Sequence, residues 1–156
     1  MTCIRRPIAA AMLTVMTALT FAPGVRAACW SAAERQAIAV RVLQSEITVG
    51  ALTCGIKHAY AAFVNQQETQ LRRHGGTLSD YYTSAYGDNA GQRKLDALVT
   101  RLANEASQRK TRWPSGYCDF VFALTHRAAA TPPERLAEFA SAQPPGRRAS
   151  TLAVCD

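Results

Sequence analysis

The sequence predicts an all-α fold: a single compact bundle of five to six helices, stapled by two disulfides. Three observations carry this. Apolar residues recur at spacings of three and four through most of the chain. No stretch alternates apolar and polar residues around a hairpin dipeptide, so no strand is predicted. Serine, threonine, proline and glycine fall where helices start and stop. The 156 residues suit one domain, and 48% hydrophobic content is enough for a core. No internal repeat is visible.

The first 27 residues read as a secretory signal peptide. Arg5 and Arg6 form a charged start, Ile8 to Ala22 an apolar run, and Pro23-Gly24 a break. Val25-Arg26-Ala27 supplies the small and apolar residues of a cleavage site before Ala28. The apolar run is shorter than the roughly 20 residues of a membrane span, and no later span is expected, so no transmembrane anchor follows cleavage. Residues 28–142 are expected to form the helical domain and 143–156 an irregular tail. Removing the leader's three arginines leaves 15 basic residues against 11 acidic ones, a net charge of +4. That balance is only mildly basic and does not point to nucleic acid.

The first helix starts at a capping box, Ser31 with Glu34. Ala33, Ala37, Val40, Leu43, Ile47, Ala51 and Cys54 then share one face. A second helix is predicted over 56–73, with His74 in its last turn and Gly75-Gly76 as its stop. Thr77 and Asp80 mimic a new cap, followed by a short helix carrying Leu78, Tyr81, Tyr82 and Ala85. Gly87 to Gly91 reads as a loop. Leu95, Leu98, Val99, Leu102, Ala103 and Ala106 make the clearest helix, with Glu105 and Arg109 as an exposed pair. Trp113-Pro114-Ser115-Gly116 ends it, and Ser115 caps a helix over 116–129. Thr131-Pro132-Pro133-Glu134 opens the last helix, with Leu136, Phe139 and Ala140 facing inward.

After cleavage four cysteines remain, Cys29, Cys54, Cys118 and Cys155, and three pairings are possible. An exported chain with an even count reads as disulfide-bonded. A first helix of about 22 residues is about 33 Å long. Cys29 and Cys54 then lie too far apart for the roughly 4.4–6.8 Å Cα separation of a disulfide. In an up-down bundle Cys118 returns to the end that carries Cys54. This favours Cys54–Cys118 and leaves Cys29–Cys155 to tie the tail to the mature N-terminus. Lipidation at Cys29 is disfavoured by the charge at Arg26 and by the odd count it would leave.

Few residues suggest chemistry. His58, His74 and His126 do not follow a metalloprotease spacing, and no cofactor or metal is implied. No nucleophile elbow, P-loop or dinucleotide fingerprint occurs. Two acids are the catalytic candidates, because glycoside hydrolysis needs placed carboxyl groups. Glu46 is the one acid between positions 40 and 54, beside Val42, Val49 and Gly50. Asp80 precedes Tyr81 and Tyr82. The plainer readings are a buried ion pair for Glu46 and helix capping for Asp80. Lys94, Arg101, Glu105 and Arg112 fall within about 40° of one helix stripe, flanked by Arg109 and Lys110. Lys94, Arg101, Arg109 and Arg112 are therefore the candidate contacts to an anionic partner, against the plainer reading of a solvated face. Tyr60, Tyr81, Tyr82, Tyr86, Trp113 and Tyr117 either line a groove or form a half-buried core.

Leu52-Thr53-Cys54-Gly55, Tyr60-Ala61-Ala62-Phe63-Val64 and Leu102-Ala103-Asn104-Glu105-Ala106-Ser107 resemble segments of small exported, disulfide-bonded helical proteins of Gram-negative bacteria. The resemblance implies a periplasmic or secreted helical domain and carries no catalytic residue. The function expected is non-enzymatic binding of another envelope component, a protein or an anionic polymer. The alternatives are an envelope-polymer hydrolase using Glu46 or Asp80, and a periplasmic stress chaperone.

Overall fold

A computed structural model describes residues 30–144. Within them the chain forms α1 (Ala32–Cys54), α2 (Lys57–Tyr86), α3 (Asp88–Arg112), α4 (Tyr117–Ala130) and α5 (Leu136–Ala142), with a 3-10 turn at Pro133–Arg135 before α5. No strand occurs among the described residues, so the all-α expectation holds.

The organising element is α1. It opens at the expected capping box: Ser31 N donates to Glu34 Oε2 at 2.6 Å, and Glu34 N donates to Ser31 Oγ at 3.3 Å. It ends at Gly55, whose φ of 70° is left-handed. Twelve of its 23 residues are buried, including four in a row from Ala37 to Val40. Burial on consecutive positions means that helices surround it, and α2, α3, α4 and α5 all pack against it. The sequence predicted one apolar face; Ala33 of that face is exposed, and Val42 and Val49 on the other side are buried.

This burial also explains the composition of α1. Contrary to the expectation that no such segment follows the leader, α1 is long and apolar enough to cross a membrane, and 61% of its most apolar stretch is buried inside the protein. Its apolar residues are shared between two cores. Val40, Leu43 and Ile47 meet Phe63, Leu124, Ala128, Leu136 and Ala140 from α2, α4 and α5. Ala37, Ile38 and Val42 meet Leu78 of α2 and Leu95, Leu98 and Leu102 of α3.

The stop expected at Gly75-Gly76 does not occur, and α2 runs through it for 30 residues. Phe63, Gln67, His74 and Leu78 are buried along one side of α2, on both sides of the glycine pair. Each glycine costs about 1 kcal/mol relative to alanine inside a helix, and burying Leu78 alone offsets about 1.5–3 kcal/mol. Thr77 is no cap: its hydroxyl donates to Arg73 O at 3.2 Å, within the helix. The loop expected after Gly87 is also absent. Gly87, at φ 76°, makes the corner alone, and α3 starts at the next residue. Gly91 lies where a Cβ would stand 2.5 Å from Tyr82 O, so its lack of a side chain lets α2 and α3 approach. Nor does Ser115 cap α4, whose N-cap is Gly116.

Cys54 and Cys118 form a disulfide, with Cα atoms 5.6 Å apart, joining the end of α1 to the start of α4. It is the single disulfide among the described residues. The expected signal peptide, the expected Cys29–Cys155 disulfide and the expected tail beyond Pro144 lie outside them.

Candidate functional site

Glu46 points from α1 into the interior with no solvent exposure. Its Oε2 accepts from Nη2 of Arg109, 63 residues later on α3. The Arg109 side chain keeps 23% exposure. Glu46 Oε1 has no hydrogen-bond partner among the described residues, and neither does the buried hydroxyl of Tyr117 at the start of α4. Burial pushes the Tyr117 hydroxyl above the usual tyrosine range, and Arg109 opposes that shift. Glu46, Arg109 and Tyr117 therefore bring polar groups of three helices to one buried place near the Cys54–Cys118 end. A carboxylate with no exposure cannot reach a polymer strand. Arg109, expected to flank the cationic stripe in an exposed pair with Glu105, is drawn inward to Glu46 instead.

Asp80 is exposed on α2 and does no capping. It borders a shallow depression with Ser31, Glu34, Thr77 and Tyr81. Glu46 faces α3, while Asp80 lies near the start of α1. The two acids do not form one site.

The remaining cations of α3 do lie on the surface. Lys94, Arg101 and Arg112 are exposed. Arg112 donates to Gln108 Oε1 at 3.3 Å, one turn back. Lys94 reaches across to α2, where its Nζ sits 4.5 Å from the centre of the Tyr86 ring. That ring begins an aromatic row. Tyr86 stacks on Tyr82 at 6.1 Å, Tyr82 meets Tyr81 edge-on at 5.2 Å, and Trp30 stacks on Tyr81 at 4.4 Å. Tyr86 is 43% exposed, and the other three rings are partly so. Burial holds the Tyr81 and Tyr82 hydroxyls above their usual range; Arg101 lies close enough to Tyr82 to work against this. Both hydroxyls stay neutral donors at physiological pH.

The row exists because Tyr82 and Tyr86 lie one turn apart on α2, and Tyr81 turns its ring toward Trp30 at the start of α1. Of its members, Trp30 went unread in the sequence. The available signal was its place just before the cap of α1, the position of a hydrophobic staple, although the staple's second position here is the polar Arg35. Here Arg35 Nη1 holds the Trp30 carbonyl at 2.7 Å. The other aromatics divide. Trp113 leans on Phe120 at 6.1 Å, Tyr117 is buried, and Tyr60 packs on the core. No single groove collects all of them.

His74 is buried, while His58 and His126 are exposed, the latter 4.3 Å from the Phe122 ring. No group of three metal-binding side chains occurs among the described residues. No family model, curated protein or solved structure matches the chain.

Proposed function

We propose that this chain is an exported, non-enzymatic helical domain that binds an anionic polymer of the cell envelope. The observation that carries the reading is the aromatic row Trp30–Tyr81–Tyr82–Tyr86 with Lys94 against it and Arg101 alongside. Stacked rings offer flat apolar faces to sugar rings, and flanking cations offer charge to phosphate or carboxylate groups. Export follows the reading of residues 1–27 and the resemblance to exported helical proteins. A second disulfide, Cys29–Cys155, completes the proposal and would tie the tail to the residue before Trp30. The burial of Glu46 speaks against hydrolysis through that residue.

The test is co-sedimentation of the purified protein with lipopolysaccharide, with dextran as the neutral control. Retention should fall steeply with salt. Lys94→Gln with Arg101→Gln should weaken it by about ten-fold, and Tyr86→Ala by about five-fold, as exposed cation–aromatic surfaces do. Equal retention on dextran, or no effect of these substitutions, would overturn the proposal.

A second reading rests on Leu52, Trp113 and Phe122, which are 75%, 52% and 50% exposed and lie within a few residues of the disulfide in the sequence. Exposed apolar side chains are what a stress chaperone presents. That reading requires increased binding of an apolar dye at acid pH, and a protein that binds no dye there would exclude it.

A further inference from the structure

The corner where α4 gives way to α5 is concave. Thr131 and Pro132 leave the helix in extended conformation, with ψ of 132° and 135°. Gln67 braces the corner from α2: its Nε2 donates to Ala128 O at 3.0 Å and to Thr131 O at 2.7 Å. Between the last turn of α4 and α5 lies a hollow of about 450 Å³, within the range of small-molecule sites. Ala130, Pro132 and Phe139 give it apolar walls, and Arg127, Arg135 and Glu138 stand around it.

The two arginines differ in what they have left to offer. Arg135 is engaged by Glu138 through two bonds of 3.1 Å, a forked pair that cancels its charge. Arg127 has no carboxylate partner among the described residues. Two neutral groups orient it instead. Its Nη2 donates to Gln143 Oε1 at 3.3 Å, and its guanidinium carbon lies 6.0 Å from the centre of the Phe139 ring. Gln143 is buried and anchored in turn, its Nε2 donating to Phe139 O at 3.2 Å. Arg127 is thus a cation held in place with its charge uncancelled. A guanidinium held in advance loses less freedom when a ligand arrives, and its planar fork matches a carboxylate.

We infer that the α4–α5 corner binds a small organic monocarboxylate, with the carboxylate on Arg127 and the apolar body against Phe139 and Ala130. One uncancelled cation selects one negative charge, and the walls select an apolar body over a polar one. The same chemistry is offered by a free medium-chain acid and by the C-terminus of a peptide with an apolar last residue.

The test is calorimetric titration of the full chain with octanoate, octanol and a short peptide ending in leucine. Octanoate should bind at least about ten-fold more tightly than octanol, which has the same body without the charge. Arg127→Gln, an exposed substitution, should abolish that preference. Glu138→Gln frees Arg135 and should tighten octanoate about three-fold or more. Tighter binding of octanoate than of peptide assigns a free acid, and the reverse order assigns a chain terminus. Octanol binding as well as octanoate, no change in Arg127→Gln, or no tightening in Glu138→Gln would each overturn the inference.

Discussion

At the scale of single residues, the same side chain invites a catalytic and a structural account, and its partner decides between them. Glu46 has no exposure and is bonded to Arg109 of α3. Removing one member of a buried pair strands the other, at a typical cost of about 3–5 kcal/mol. Arg109 keeps 23% of its side-chain surface exposed and can turn toward water. Glu46→Gln should therefore cost less, about 2–3 kcal/mol in urea unfolding. Glu46→Leu with Arg109→Leu should recover most of the loss, because apolar replacements of buried pairs are often neutral. A double variant as unstable as the single one would refute this account. The acid itself was legible in the sequence, since it sits among Val42, Val49 and Gly50. Its partner was not: helical spacing reveals which face a residue shares, not which residue 63 positions away will meet it. His74 gives a pH test at the same scale. Burial, and then the charge of Arg73, lowers its pKa below the ordinary 6.5. As pH falls through about 6.5 the unfolded chain takes up a proton that the folded chain resists. The unfolded state then binds more protons, so stability is fully present above that pH and is lost below it. His74→Gln should show a smaller loss of unfolding free energy than the parent between pH 7.5 and pH 5, and parallel curves would count against a buried neutral His74.

At the scale of elements, glycines separate local signals from packing. Gly75-Gly76, with Thr77 and Asp80 behind them, have the residues of a helix stop followed by a new cap. The sequence read that way because caps are local signals, whereas the burial of His74 and Leu78 is set by neighbouring helices. α1 and α3 were legible because their apolar periods run uninterrupted. Two substitutions of the same kind should therefore have opposite signs. A Cβ at Gly76 meets nothing within 4 Å, so Gly76→Ala should stabilise by about 0.5–1 kcal/mol through helix propensity. A Cβ at Gly50 would collide with Cγ1 of Val121 on α4. Gly50→Ala should destabilise by about 1–3 kcal/mol despite the same gain in propensity. Thermal unfolding of both variants checks the pair of signs, and Val121→Ala should relieve the Gly50→Ala defect specifically.

At the scale of the whole molecule, the question is what keeps four helices around one. α1 is buried along most of its length, yet α4 and α5 follow it only after more than sixty residues of intervening chain. Their return is a long-range closure, with an entropy cost that grows slowly with the length of chain enclosed. Cys54–Cys118 bears directly on that cost, joining positions 64 apart in the sequence. Its geometry was legible because a helix of known rise separates Cys29 from Cys54 and a return to the same end brings Cys118 near. The chain-entropy account gives about 4 kcal/mol for a loop of this size. Cys54→Ala with Cys118→Ala should lower the unfolding free energy by about that amount. The effect should come mainly from the unfolded state. The folded variant should therefore keep its helical circular dichroism, while the denaturant slope rises because the freed chain exposes more surface. A variant that keeps its stability would show that packing around α1 alone returns α4 to its place. Loss of helical signal without denaturant would instead assign the disulfide to holding the native bundle together.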